Sequence, residues 1–150
     1  MKTISSLVRR GQILPGAIAM LVILAVMVPS IVMWIQRDAR TTLDTVNRHI
    51  RQAVASTVVI DTNGQGPFSR IRFRHVDGRY MEFHQEGHKL IQIIDTAQSV
   101  VSGNLIYIAF TYPRTDDVSI ISVAITMGKS IQLGRRKALE LTIQNIRIMN

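Results

Sequence analysis

The spacing of apolar positions divides the chain into three stretches. Between Ile13 and Ile35 no charged residue occurs, and Ile, Leu, Val, Met and Ala dominate. A helix of about 20 such residues spans the hydrocarbon core of a bilayer. The pattern therefore predicts a short basic head, one helix of membrane length, and then a domain of ordinary polarity.

After Arg37 the apolar positions thin out to a single stripe. Four of them are spaced by three, four and four residues: Leu43, Val46, Ile50 and Val54. This spacing places them on one side of a helix, with charged residues on the other side. Because neither proline nor glycine occurs between Ser30 and Asn63, the pattern predicts one continuous helix that ends near Thr57.

From residue 61 onward the composition and the period both change. Residues 61–67, DTNGQGP, have the composition of a loop, and apolar and polar residues then alternate as in strands. Further strands are predicted over 89–95, 104–112, 118–127 and 139–149, the last with a bulge near Gln144-Asn145. We therefore predict an α+β fold in which a long N-terminal helix packs on an antiparallel β-sheet.

Asp77-Gly78 predicts a hairpin whose register depends on the loop length. A two-residue loop would place Phe73 opposite Glu82 and mix apolar with charged faces. A three-residue loop over 77–79 separates the faces and places opposite charges across the strands. The predicted pairs are Phe73 with Phe83, Arg74 with Glu82, and Arg70 with Glu86.

The junction between the basic head and the apolar run has three explanations. A cleaved secretory signal has an apolar core of about 7–15 residues, which is shorter than this run. An uncleaved anchor explains the length and would place Trp34 at the far membrane interface. The third explanation is cleavage after Gly11, which makes Gln12 the first residue of the mature chain. It accounts for Pro15, because proline is well tolerated only in the first turn of a helix.

A short basic leader that ends in glycine before a retained apolar helix resembles the processing signal of type IV prepilins and type II secretion pseudopilins. The resemblance implies cleavage by a prepilin peptidase between Gly11 and Gln12, with methylation of the new N-terminus. It also implies four segments: a leader over 1–11, the transmembrane half of the helix over 12–36, its amphipathic half over 37–58, and an antiparallel β-sheet domain over 59–150.

The chain departs from the family pattern at the mature N-terminus. Members usually carry an aromatic residue at mature position one and glutamate at position five, where this chain has Gln12 and Gly16. Some minor members that lie at filament tips also lack the glutamate, so the departure favours a minor subunit. Pro29 resembles the proline of pilin-like helices, although membrane helices also tolerate proline in general.

The resemblance implies a non-catalytic minor subunit of a type II secretion pseudopilus or a type IV pilus, acting in initiation or at the tip. Its partners would be other pilin-like subunits, the prepilin peptidase, an assembly platform in the inner membrane and the lipid bilayer. It would be a single-pass inner-membrane protein with a cytoplasmic N-terminus and a periplasmic or extracellular domain. The alternative is an uncleaved single-span protein with an external binding or sensor domain.

Charge adds a further alternative, a DNA-uptake pilin. Lys and Arg number 18 against 10 Asp and Glu, for a net charge of +8. The basic residues that form two local groups are Arg70, Arg72 and Arg74, and Arg135, Arg136 and Lys137. Such groups bind nucleic-acid phosphates without sequence preference. Pairing of the first group with Glu82 and Glu86 would instead make it an ordinary salt-bridged surface.

No motif predicts catalysis, a metal or a cofactor. Gly128-Lys129-Ser130 matches the end of a phosphate-binding loop, but Val123 stands where that motif needs glycine. His84 and His88 flank a turn, and Asp116-Asp117 has the composition of a calcium loop, but exposed turns explain both more simply. The absence of cysteine excludes disulfides and thiolate sites.

Overall fold

A computed structural model describes residues 13–130 and 136–149, without the side chains of 13–15, 24–32, 129–130 and 136–141. The chain divides into two compact units, Met1–Trp34 and Ile35–Asn150. The predicted cleavage residues Gly11 and Gln12 lie outside the described residues, as does Arg135.

A single helix, α1, runs from Ile13 to Arg51 and contributes to both units. In the first unit, the described large apolar side chains of α1 are exposed: Ile18, Met20, Leu21, Val22, Ile23, Met33 and Trp34. Among the helical residues that the structure describes, no stretch is both long and apolar enough to cross a membrane.

In the second unit, α1 is followed by a 3-10 turn at Ala55–Thr57 and by eight strands. A five-stranded antiparallel sheet contains β1 (Val59–Asp61), β2 (Arg70–Arg74), β3 (Tyr80–Glu86), β4 (Lys89–Ile94) and β5 (Ala97–Ser102), in that order. A three-stranded antiparallel sheet contains β6 (Leu105–Thr111), β7 (Ile120–Ser130) and β8 (Arg136–Arg147).

The predicted fold, a long helix packed on one antiparallel sheet, is wrong. In the described part of the second unit, the helical segment Ile35–Arg51 is followed by eight strands in two sheets. The chain leaves the first sheet at Ser102 and Asn104, whose side chains both donate to Asp38 Oδ2 at 2.8 Å. These two hydrogen bonds connect the segment between β5 and β6 to α1, and β6 belongs to the second sheet.

The helix ends at Arg51, before the predicted end near Thr57. Beyond it the backbone joins the five-stranded sheet, because the Val54 N–H donates to the Arg74 carbonyl at 2.8 Å and Ala53 forms a bridge with His75. The α1 residues that pack into the core of this unit are Ile35, Ala39, Leu43, Val46 and Ile50.

The predicted pairs of the β2–β3 hairpin are also wrong. The His75 N–H donates to the Arg79 carbonyl at 2.9 Å, so the loop closes over 76–78, one residue earlier than predicted. Gly78 in this loop has φ of 89°, which favours glycine. Phe73 therefore lies opposite Met81. Since the shift moves each partner by two residues, Phe73 and Phe83 still share the buried face.

The last hairpin has its irregularity at a different place from the one predicted. The register shifts between Met127 and Gly128, which pair with Glu140 and Ala138, so the extra residue is in β8 near its start. No shift occurs near Gln144-Asn145. As a result the apolar residues of β8 divide between faces: Ile146 is buried, whereas Ile143 is 64% exposed.

Candidate interaction surfaces

One carboxylate, that of Asp61, pairs with two of the three β2 arginines. Asp61 lies opposite Arg70 at the β1–β2 ladder. Arg70 donates from Nε and Nη2 to the two Asp61 oxygens at 2.5 and 3.0 Å, and Arg72 Nη2 donates to Oδ2 at 2.5 Å. The hydrogen bond from Arg70 lowers the pKa of Asp61, so the carboxylate is ionised across the ordinary pH range. The carboxylate of Asp61 therefore partly neutralises the positive charge of Arg70 and Arg72.

Glu82 and Glu86, which are predicted to pair with Arg74 and Arg70, make other contacts. Glu82 accepts a hydrogen bond from the Tyr80 hydroxyl at 2.7 Å, and Glu86 lies opposite Lys89 in the β3–β4 ladder. The sequence pattern places residues 61–67 in a loop, and it therefore does not predict Asp61 as a strand residue that pairs with arginines of β2. The apolar run Val58-Val59-Ile60 just before it was the signal for a strand.

The other predicted basic residues contribute unequally to the described surface. Arg74 lies at the end of β2 and is exposed. Arg136 and Lys137 lie in β8, but their side chains are not described. Of the six predicted basic residues, the structure therefore describes the side chains of Arg70, Arg72 and Arg74.

The buried side chain of Gln85 joins the two sheets. It is 4% exposed, donates from Nε2 to the carbonyls of Gly87 and Ile106 at 2.9 Å each, and accepts at Oε1 from the Ile108 N–H at 3.1 Å. The amide thereby makes the contacts to β6 that a neighbouring strand would make. Sequence patterns did not identify it, because an isolated glutamine in a strand has no distinguishing spacing.

The loop before β2 holds an aromatic side chain in solvent. Phe68 has φ of 62°, which is unusual for a bulky residue, and it is half exposed. The loop is held by the Thr62 hydroxyl, which donates to the Gly66 carbonyl at 2.8 Å, and by the Tyr107 hydroxyl, which donates to the Pro67 carbonyl at 3.3 Å. Phe68 and Tyr107 are therefore candidates for contact with another protein.

Two histidines meet between α1 and β2. Their ring centroids lie 6.1 Å apart, and the His75 ring is buried with Nε2 2.7 Å from Gln52 Oε1 and Nδ1 2.9 Å from Asp77 Oδ1. His49 Nδ1 is buried without a hydrogen-bond partner. Burial lowers the pKa of His49, and electrostatic interactions with His75 and Arg48 lower it further. The pair is a structural contact that favours the neutral form of His49.

The polar candidates for metal or nucleotide binding do not come together. Across residues 13–130 and 136–149, no three His, Asp or Glu side chains are placed to hold a metal ion. His84 is buried in β3, whereas His88 is exposed with Nδ1 3.0 Å from the Leu105 carbonyl oxygen. Gly128-Lys129-Ser130 lies within β7 instead of forming a loop. Asp117 accepts hydrogen bonds from the backbone N–H and hydroxyl of Ser119.

The remaining predicted helix residues, Pro15, Gly16 and Pro29, all lie in α1. Gly16 is exposed, and beyond its own helical turn there is open space beside its Cα for a methyl group. Seven of the exposed large apolar side chains among the described residues lie in the part of α1 that belongs to the first unit. No protein-family model matches this chain, and no curated protein matches it.

Proposed function

We propose that the protein is a non-catalytic minor subunit of a type II secretion pseudopilus or a type IV pilus, acting in initiation or at the filament tip. In this proposal it is held in the inner membrane by α1, with its N-terminus in the cytoplasm and its strand domain outside. The observation that carries the proposal is the exposure of the described large apolar side chains of α1 at positions 18–23 and 33–34.

Exposed apolar residues along one helix favour association with lipid or with other helices. Removing apolar surface from water contributes about 25 cal/mol per Å². The stretch from Ile13 to Ile35 has no charged side chain that would oppose such burial. Trp34 lies near the end of this stretch and Arg37 follows the stretch, in the order expected for residues at a membrane interface.

The second part of α1, from Ile35 to Arg51, does not offer its apolar residues for association with lipid or with other helices. Its apolar stripe, with Leu43, Val46 and Ile50, is already buried inside the compact unit. The apolar surface left for subunit contacts is therefore the part before Ile35. Because the strand domain consists of two sheets, the proposal rests on the helix and not on the form of the domain.

The polar residues of the domain favour a structural over a catalytic role. Gln85, Asp61 and Asp117 each use their side chains in hydrogen bonds that hold strands or turns together. We therefore propose that the domain contributes packing surfaces to the assembly. Its partners are then like subunits, an inner-membrane assembly platform and the peptidase that processes them.

The test is the intact mass of the membrane-extracted protein, with and without a co-expressed prepilin peptidase that is active on a control prepilin. The proposal expects loss of residues 1–11, and it expects Gly11→Ala to prevent this loss. Gly16→Ala is the matched control, because the space around Gly16 accepts a methyl group and cleavage should continue. A full-length mass in every case would leave the uncleaved single-span anchor and would exclude the filament proposal.

A further inference from the structure

The first exposed turn of α1 after its charge-free stretch carries two arginines. No charged residue occurs between Ile13 and Ile35, and Arg37 and Arg40 follow. Both arginine side chains are exposed, whereas Ile35 and Ala39 are buried in the core of the second unit. Because residues three apart on a helix are neighbours, the two arginines share one exposed side of α1.

The acidic residue between them, Asp38, is engaged by the strand domain. Its Oδ2 accepts hydrogen bonds from the Ser102 hydroxyl and from Asn104 Nδ2, at 2.8 Å each. Within the described part of the chain, neither arginine forms an ion pair with a carboxylate. Both positive charges are therefore available to an anion from outside the chain.

The distance of the two arginines from the apolar stretch matches the depth of lipid headgroups. Since an α-helix rises about 1.5 Å per residue, Arg37 and Arg40 follow Ile35 by about 3 and 7.5 Å along the helix axis. The polar region of each leaflet extends roughly 5–7.5 Å beyond the hydrocarbon core. Arg48 and Arg51 follow Ile35 by about 20 and 24 Å, which is beyond this region.

We infer that Arg37 and Arg40 bind the phosphate groups of anionic phospholipids in the leaflet on the side of the strand domain. The site rests on the proposed insertion of α1 into the bilayer, and it adds the class of lipid that surrounds the helix. A guanidinium group donates two parallel hydrogen bonds to phosphate oxygens, and its long side chain keeps it at the interface. Each arginine near an anionic membrane surface adds to the attraction.

The short extent of the basic surface favours a lipid over a polymeric anion. The next charged residue after Arg40 is Asp44, which is also exposed. A nucleic acid that follows the helix would meet this carboxylate, whereas a lipid headgroup contacts one turn only. A bilayer also supplies phosphates at the depth of Arg37 and Arg40, and a free phosphate ion has no such concentration there.

The test measures which lipids surround α1 by the fluorescence of Trp34. Trp34 is the only tryptophan in the chain and precedes Arg37 by three residues, so it reports the lipids near both arginines. The full-length protein is reconstituted in vesicles of equal parts phosphatidylglycerol and phosphatidylcholine. In one sample the acyl chains of phosphatidylglycerol carry bromine, and in the other those of phosphatidylcholine do.

We expect stronger quenching by brominated phosphatidylglycerol, corresponding to a local enrichment of this lipid of at least about threefold. The enrichment should decrease as the salt concentration rises, because salt screens exposed charges. Replacing both Arg37 and Arg40 by lysine keeps the charges and should keep the enrichment. Replacing both by glutamine should make the two lipids quench equally.

The matched control replaces both Arg48 and Arg51 by glutamine. It makes the same change in net charge on the same helix, about 16 Å further along the axis. This separation exceeds the screening length of about 8 Å at physiological salt, so the enrichment should persist. All four arginines are exposed, and the substitutions should therefore leave the thermal melting temperature nearly unchanged.

The outcomes separate this site from the filament proposal. Equal quenching by the two lipids in the parent protein would overturn the lipid site and leave the insertion of α1 intact. Equal loss of enrichment in both glutamine variants would also overturn it, because net charge would then attract the lipid. Quenching by neither lipid would contradict both the insertion and the site. Cleavage after Gly11 is read separately from the intact mass.

Discussion

The two parts of α1 differ in the exposure of their apolar residues. Before Ile35, the described apolar side chains are exposed, and Leu21 and Trp34 are both more than two-thirds exposed. From Ile35 to Arg51, the apolar residues form one stripe, and Val46 and Ile50 are fully buried. The same helix therefore contains one part whose apolar surface is buried in the domain core. The apolar surface of the other part can be buried only by lipid or by other molecules.

This difference shows which part of the chain stabilises the domain and which part makes contacts beyond it. A stripe of apolar residues on an otherwise polar helix is what a domain core requires. A helix that is apolar on every side requires lipid or several other helices. The predictions below use this contrast, beginning with the largest expected effect.

Removing apolar volume should destabilise the domain only in the second part of α1. Ile50→Ala should lower the free energy of unfolding by about 2–5 kcal/mol, because it leaves a cavity in the core. Ile23→Ala makes the same chemical change at an exposed position and should lower it by less than about 0.5 kcal/mol. Denaturant unfolding of both variants in the same detergent checks this. Equal losses would contradict the division of α1.

Cutting the link between the two sheets should act on the second unit alone. Gln85→Ala removes three hydrogen bonds and leaves buried β6 backbone groups without partners, at a cost of about 2–3 kcal/mol. Thermal unfolding measures the loss. Gln98→Ala, at an exposed strand position, is the control and should have little effect. A Gln85→Ala variant as stable as the parent would show that the amide does not hold the sheets together.

The contact between α1 and β2 should make the second unit sensitive to acid. Burial holds the pKa of His49 below its ordinary value of 6.5, so the unfolded chain binds this proton more readily. The stabilising contribution is therefore complete above pH 6.5 and decreases as the pH falls below it toward the folded pKa. Unfolding measured from pH 8 to pH 5 should show this decrease, and His49→Gln should reduce it. An unchanged pH dependence in His49→Gln would contradict the assignment.

Asp61→Asn should have the smallest effect on stability. It removes one carboxylate from two arginines that are partly exposed, at a cost of about 1 kcal/mol or less. It also removes the negative charge beside Arg70 and Arg72, so that both can attract phosphates more strongly. If this surface binds DNA, the salt dependence of binding should become steeper by about one to two units of log Kd per log salt. Absence of binding at low salt by both proteins would exclude the DNA-uptake alternative.

The sequence predicted elements with strong periodicity but not their grouping. The stripe through Leu43, Val46 and Ile50 was visible because a buried helix face repeats every three to four residues. The division into two sheets was not visible, because it involves contacts between distant parts of the chain, such as the hydrogen bonds that Asp38 accepts from Ser102 and Asn104, more than sixty residues away. No local pattern identifies such a contact.

Strands with weak patterns were also missed. β1 is short, and β5 has only Val100 and Val101 as large apolar residues, so neither shows a clear alternation. The predicted register of the β2–β3 hairpin is wrong because the prediction pairs opposite charges across these two strands. Asp61, on a strand that the sequence did not predict, binds Arg70 instead, together with Arg72. The strands β1 and β5 and the ion pairs of Asp61 could therefore be identified only from the structure.

The central claim is that the exposed apolar part of α1 enters a bilayer, and Trp34 is the only tryptophan in the chain that can report it. The measurement is the fluorescence of the full-length protein in vesicles that contain lipids brominated at different depths. The account predicts blue-shifted Trp34 emission that is quenched most by bromine near the headgroups, as expected for an interfacial residue. Emission typical of tryptophan in water, without quenching by any brominated lipid, would contradict it.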